Sequence, residues 1–218
     1  MRVNAPPAGP DEGVDMIIRT PMAATAEGPV AAMYDSDIAE DGFVFAHTQA
    51  MAVNPEAYAA FEALVHAVVP SIGVRVYEAA TLGAARAIGS PHCLLAHGRR
   101  AVRIGQVDET GLAAFGEGDD SAFDPAEQAV IRYAERLSRE PEAMTDADSQ
   151  RLRDAGFSDR QIVDITLAAA ARNYFSRALQ ALAVPVDPMP GLSVAVTEAL
   201  TGGTAARRTD GSAPPADR

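Results

Sequence analysis

Three times along this chain a residue able to cap a helix stands directly before a proline that opens an apolar-periodic run. The pairs are Asn54–Pro55 in "NPEAYAAFEALVHAVV", Ser90–Pro91 in "SPHCLLAHGRRAV" and Asp124–Pro125 in "DPAEQAVIRYAERL". A capping side chain can accept from a backbone N–H of the first turn, and proline at the first helical position loses an N–H that has no partner anyway. Glu127, three residues after Asp124, completes a capping box, and "SDRQ" at 158–161 has the same spacing. The runs that follow keep helical period. Tyr58, Phe61, Leu64, Val65 and Val68 share one face, as do Val130, Ala134 and Leu137. Further helices are expected over 73–88, up to Gly156, and from about 159 to 183, with Pro185 beyond the last. No segment alternates apolar and polar residues between turn dipeptides, so the expected fold class is all-α.

The ends of the chain read differently. Residues 1–15, rich in proline, glycine and acids, are expected to be disordered, and 202–218, "GGTAARRTDGSAPPADR", to form a flexible tail. Between them, 16–201 is expected to be a single all-helical domain, with a motif region at 50–105 and a C-terminal helical half at 124–187. Asp108, Glu109, Glu117, Asp119 and Asp120, among Gly111, Gly116 and Gly118, read as a solvated acidic loop without the ligand order of a calcium loop.

Charge and cysteine content narrow the function classes. The chain has a net charge of −12, and every basic residue is arginine or histidine. No basic stripe is present, which argues against nucleic acid and anionic membrane as partners. One cysteine cannot form an intrachain disulfide. The N-terminus lacks the apolar core of a signal peptide, and no apolar run reaches about 18 residues, so a cytoplasmic location is expected.

That cysteine, Cys93, is the third helical residue if Ser90 is the cap. A sulfur there lies near free backbone N–H groups and the positive end of the helix dipole, which favour thiolate over thiol. His97 is one turn further along the same face, within reach as a general base directly or through one water. His92 precedes Cys93 and points about a quarter turn away. Glu78 lies in the largely apolar "VRVYEAATLGAAR", where burial would demand a partner such as His97 or an arginine, Arg177 among them. Residue types alone leave three readings open. Cys93 is a reactive thiol, or an inert core cysteine, or a metal ligand with His97. The last would need His47 and His66 brought close to make a four-ligand site.

The stretch from Glu78 to His97 resembles the alkylhydroperoxidase D / carboxymuconolactone decarboxylase-like superfamily. That pattern is a glutamate, a Cys-x-x-Cys beginning twelve residues later, and a histidine four beyond the second cysteine. Glu78 stands twelve before Ser90, Cys93 matches the second cysteine, and His97 the histidine. His92 also matches a histidine of the alkylhydroperoxidase D branch. The stretch from Asp124 to Asp187 looks like the C-terminal helical half of the peroxidase-related members, so the resemblance spans roughly residues 50 to 187. It implies an all-helical fold assembled as a homo-oligomer, trimer or hexamer, and a thiol peroxidase without cofactor or metal. By position, Cys93 would attack a small-molecule hydroperoxide, His97 would take its proton, Glu78 would orient His97, and His92 would assist electrostatically.

Ser90 departs from the pattern, because it stands where the resolving cysteine would be. Serine keeps the capping hydroxyl but cannot form a disulfide, so a Cys93 sulfenic acid would need an external thiol or dithiol reductant. The alternatives are an acid–base lyase or decarboxylase-like enzyme acting on a lactone or small carboxylic acid through Glu78 and His97, and a non-catalytic helical oligomer.

Overall fold

In a computed structural model, which describes residues 16–209, the chain turns helical at the positions its capping signals mark. Among the described residues there are ten α-helices and no strand, as the absence of alternating stretches requires. Asn54 Oδ1 accepts from Ala57 N at 3.0 Å and opens α3 (Pro55–Ile72). Asp124 and Glu127 form a reciprocal capping box at the start of α7 (Pro125–Arg139). Ser158 and Gln161 do the same ahead of α9 (Asp159–Ala181).

The chain divides into two compact units. One comprises Met1–Ala63 with Ala178–Pro188, the other Leu64–Arg177 with Met189–Arg218. Helices α3 and α9 each contribute residues to both, so no composition shift or breaker marks the division. In the first unit lie α1 (Gly28–Asp41) and α2 (Ala46–Met51). The start of α2 is tied down by carboxylates. Asp37 Oδ2 accepts from Phe45 N at 3.0 Å and Asp187 Oδ2 from Ala46 N at 2.9 Å. Burial pushes both carboxyls above the ordinary aspartate value, against those hydrogen bonds.

The second unit is built on α4 (Val74–Ile88), whose residues from Tyr77 to Ala85 are all buried. Small residues make this possible. Ala79, Ala80 and Ala84 are fully buried, and Gly83 lets α7 come close because it faces the Ile131 backbone: a Cβ there would lie 2.6 Å from the Ile131 carbonyl oxygen. A backbone atom cannot move aside as a flexible side chain can. Gly83→Ala is therefore expected to lower unfolding free energy by about 1–3 kcal/mol, although alanine is the better helix former by about 1 kcal/mol. Denaturant unfolding measures this; an unchanged or raised midpoint would refute the close-approach argument.

Beside α4 and α7 lies α5 (Pro91–Arg103), against α4; α6 (Glu109–Gly116) and α10 (Val194–Thr209) pack on each other and on α5, and α8 (Asp146–Asp154) packs on α7. Two sequence expectations change here. The acidic stretch read as a loop contains α6: Asp108 caps it through Gly111 N at 2.8 Å, and Leu112 and Phe115 are fully buried. Its glycines serve close packing. A Cβ at Gly111 would meet Ala122 at 2.5 Å, and one at Gly116 the Ala199 carbonyl oxygen at 2.6 Å. The segment read as a tail from 202 continues α10 to Thr209, because Ala205 to Arg208 favour helix and two glycines did not stop it. Residues 1–15 and the remainder of that tail lie outside the described residues.

Candidate functional site

The link between α4 and α5 is two residues long, and it fixes where Cys93 falls. Gly89 takes the left-handed conformation (φ 71°), and Gly89 N and Ser90 N both bond back to the Ala85 carbonyl at 2.9 and 3.0 Å. This is the double closure of a helix that ends on glycine. Ser90 then begins α5 at once, with Pro91, His92 and Cys93 as its first three residues.

The capping expectation for Ser90 fails at the side chain. Ser90 occupies the N-cap position, but its hydroxyl makes no capping bond; it is fully buried and without a hydrogen-bond partner. The cause is its shared backbone. Closing α4 leaves Ser90 with ψ 101°, whereas the capping residues Asp108 and Asp124 have ψ 173° and 162°. The hydroxyl is turned away from the first-turn amides that it would otherwise occupy.

Glu78, on α4, is 0% exposed. Its carboxylate Oε2 accepts from His97 Nδ1 at 2.6 Å, and Oε1 lies 3.2 Å from Arg100 Nε. Both partners come from α5, three residues apart and so on one face. Sequence spacing anticipated the histidine. The arginine it suggested, Arg177, instead donates to the Ser138 carbonyl at 3.4 Å. His97 keeps 13% of its side chain exposed. Burial, then the positive charge of Arg172, pulls its imidazole below the ordinary histidine value, against the opposing pull of Glu78. The ring is therefore neutral at neutral pH. With Nδ1–H donated to Glu78, Nε2 carries the lone pair of a general base.

Cys93 is 2% exposed. Its hydrogen-bond partners come from α9 rather than α5: Ser176 Oγ donates to Sγ at 3.1 Å, and Arg172 Nη1 donates to it at 3.5 Å. Arg172 Nη2 donates to the Tyr77 hydroxyl at 3.2 Å, and the Tyr77 ring meets the His97 ring edge-on, centroids 6.0 Å apart. Tyr77 thus touches both the arginine at the sulfur and the histidine held by Glu78. His92 lies buried beside Cys93 in sequence. His66 is exposed, and His47 stacks on Phe45 in the other unit. Among the described residues no three of histidine, cysteine, aspartate and glutamate converge as a metal-ligand set.

Sequence reasoning missed Arg172, Ser176, Tyr77 and Arg100. A signal for the first two was present. Ile165, Ala168, Ala169 and Leu179 form the buried stripe of α9, and Arg172 and Ser176 fall in the same register. An arginine inside an apolar stripe demands a counter-charge or acceptors.

These features define an all-helical protein with a carboxylate–imidazole pair and a thiol at a helix start, both served by a third helix. Residues 55–136 match the carboxymuconolactone decarboxylase family, within the stretch whose sequence resembles the alkylhydroperoxidase D / carboxymuconolactone decarboxylase-like superfamily. No curated protein matches it. Solved structures share its fold, three of them as follows. A peroxidase-related protein from Silicibacter sp. TM1040 is 21% identical with a TM-score of 0.71, covering 86% of this chain and 99% of that one. A peroxidase-related protein with an alkylhydroperoxidase core, from Ralstonia eutropha JMP134, is 20% identical with a TM-score of 0.66, covering 83% and 94%. The debrominase Bmp8, solved with 2,3,4-tribromopyrrole, is 18% identical with a TM-score of 0.66, covering 86% and 99%. Among the described residues no helix is long and apolar enough to cross a membrane.

Proposed function

We propose that the protein is a thiol-dependent hydroperoxide reductase working through Cys93, with an external thiol as reductant. The observation that carries this reading is the 2.6 Å Glu78–His97 pair, set one turn along the helix that presents the chain's sole cysteine. Neutral His97 takes the Cys93 proton, directly or through a water. The thiolate attacks the terminal oxygen of R–O–O–H. An S–O bond forms, the O–O bond breaks, and sulfur is oxidised by two electrons while the peroxide is reduced. The leaving R–O⁻ recovers the proton from His97 as R–OH. One external thiol then converts the sulfenic acid to a mixed disulfide and water, and a second releases Cys93 and a small disulfide. Ser90 and the lack of a second cysteine are why both reducing equivalents come from outside the chain. Assembly into a homo-oligomer is part of this reading, supported by the outward stripe of Val163, Leu167 and Tyr174 on α9, all exposed.

A second reading is favoured by the shared fold with a debrominase. Here the same thiolate attacks bromine on an electron-rich ring. An S–Br bond forms, the C–Br bond breaks, the ring carbon takes the proton, and two external thiols again restore Cys93. One experiment separates the two. The protein is supplied with a small dithiol and either an organic hydroperoxide or a bromopyrrole, and peroxide loss and bromide release are followed. The first reading expects peroxide loss well above that of the dithiol alone and an added oxygen on Cys93 in mass spectra without dithiol. Peroxide loss at the background rate would overturn it, and bromide release would then establish the second.

A further inference from the structure

We propose that Arg172 and Ser176 are catalytic residues, supplied by α9 to the Cys93 sulfur, which hold it as a thiolate and pass their hydrogen bonds to the oxygen that leaves. The inference rests on Cys93 being the reacting thiol. It adds two residues lying outside the Glu78–His97 motif, 79 and 83 positions from Cys93 in sequence.

Arg172 is 5% exposed, and a guanidinium removed from water needs compensation from charge and hydrogen-bond acceptors. Burial by itself would lower its affinity for a proton, yet its interactions with Cys93, then Tyr77, hold it above the ordinary guanidinium value. It therefore keeps its charge at any working pH. Arg172 Nη1 at 3.5 Å and Ser176 Oγ at 3.1 Å both donate to the one sulfur. Donors of this kind, one of them charged, favour a thiolate over a thiol, so when His97 takes the Cys93 proton the charge left on sulfur is already met from α9.

The same geometry acts after attack. When the thiolate becomes a sulfenic acid, sulfur loses the charge that held Arg172, and negative charge appears on the departing oxygen next to it. A guanidinium can keep one N–H on sulfur while another reaches that oxygen, because its donors form a planar fork. Tyr77 fixes the fork by accepting from Nη2. Tyr77 is thus a positioning residue, since it acts through Arg172.

The test follows alkylation of Cys93 by iodoacetamide in mass spectra, for wild type, Arg172→Met and Ser176→Ala, at about pH 7 and about pH 10, either side of the free-thiol range. At the lower pH Arg172→Met is expected to be slower by at least about tenfold, the low end for loss of a close opposite charge. Ser176→Ala, losing one bond to a charged acceptor, is expected to be slower by at least about threefold. At the higher pH both should approach wild type, because a thiol ionised by the medium no longer needs the donors. A deficit that persists there would mean altered packing or access and would overturn the proposal. So would equal rates at the lower pH. If Arg172→Met does not fold, Ser176→Ala decides alone, as its change in volume is small. Alkylation needs no peroxide, so the two proposals fail separately. A wild type inert toward hydroperoxide, with variants still slow to alkylate, refutes the reductase and leaves the α9 donors standing.

Discussion

Cys93→Ser should lower hydroperoxide turnover by at least about a thousandfold, leaving the background rate of the external thiol. Two reasons add. A hydroxyl at this site is a far weaker nucleophile toward an O–O bond, and oxygen has no counterpart of the sulfenic acid that stores the two electrons between half-reactions. The fold should tolerate the change. Serine is slightly smaller, and Ser176 and Arg172 remain as donors to its oxygen. The expected stability cost is about 1 kcal/mol, read from thermal melts. The variant also separates enzyme classes. A lyase or decarboxylase relying on Glu78 and His97 would keep its turnover in Cys93→Ser, while either reductive reading loses it. Peroxide consumption equal to wild type in a well-folded Cys93→Ser would dismiss Cys93 as the reacting group.

What could be read in advance follows from how local each cause is. Asn54, Asp124 and Ser158 act within one helical turn, and each behaves as its sequence neighbourhood suggests. Ser90 has the same neighbourhood and does not cap. Its backbone also closes the preceding helix, a constraint set by Gly89 and Ala85 and invisible in "SPHC". The glycines at 111 and 116 read as loop punctuation, but space, not conformation, selects them: their close contacts are with residues 122 and 199. The candidate site splits in the same way. Glu78 and His97 are tied by a two-residue link, so their spacing survives into geometry as a direct contact. Arg172 and Ser176 reach Cys93 only through tertiary packing. The sequence marks them by register within an apolar stripe, and nothing in that stripe says which sulfur or carboxylate they meet. The helix over 28–41 announced itself least, because its aspartates and serine interrupt any apolar face.

Glu78→Gln should reduce turnover by about 10²–10³-fold, with the loss in the chemical step rather than in substrate affinity. The volume is conserved, so the cause is chemical. The carboxylate accepts from His97 Nδ1–H with one oxygen and faces Arg100 with the other. An amide has one acceptor oxygen and one donor nitrogen, and cannot accept on both sides. If its oxygen turns to Arg100, its N–H₂ faces Nδ1, which must then become the acceptor. The ring proton moves to Nε2, and the base is lost at the nitrogen that needs it. The pH dependence carries an independent sign. In the wild type, burial and Arg172 hold His97 below its ordinary value, so the acid limb of kcat/KM should fall below about pH 6.5, the free imidazole value. Stability has the same direction. Below that pH the unfolded chain binds a proton that the folded chain still refuses, so stability contributed by neutral His97 drops as pH falls from about 6.5 to the folded value. Glu78 opposes this depression. Removing its charge should move whatever acid limb remains to still lower pH and steepen the loss of melting temperature between about pH 7 and pH 5. Activity that is instead lost as pH rises through the His97 value, a basic limb moving lower in Glu78→Gln, would mean that His97 is protonated in the working enzyme, and that the pair acts as an ion pair instead of an oriented base.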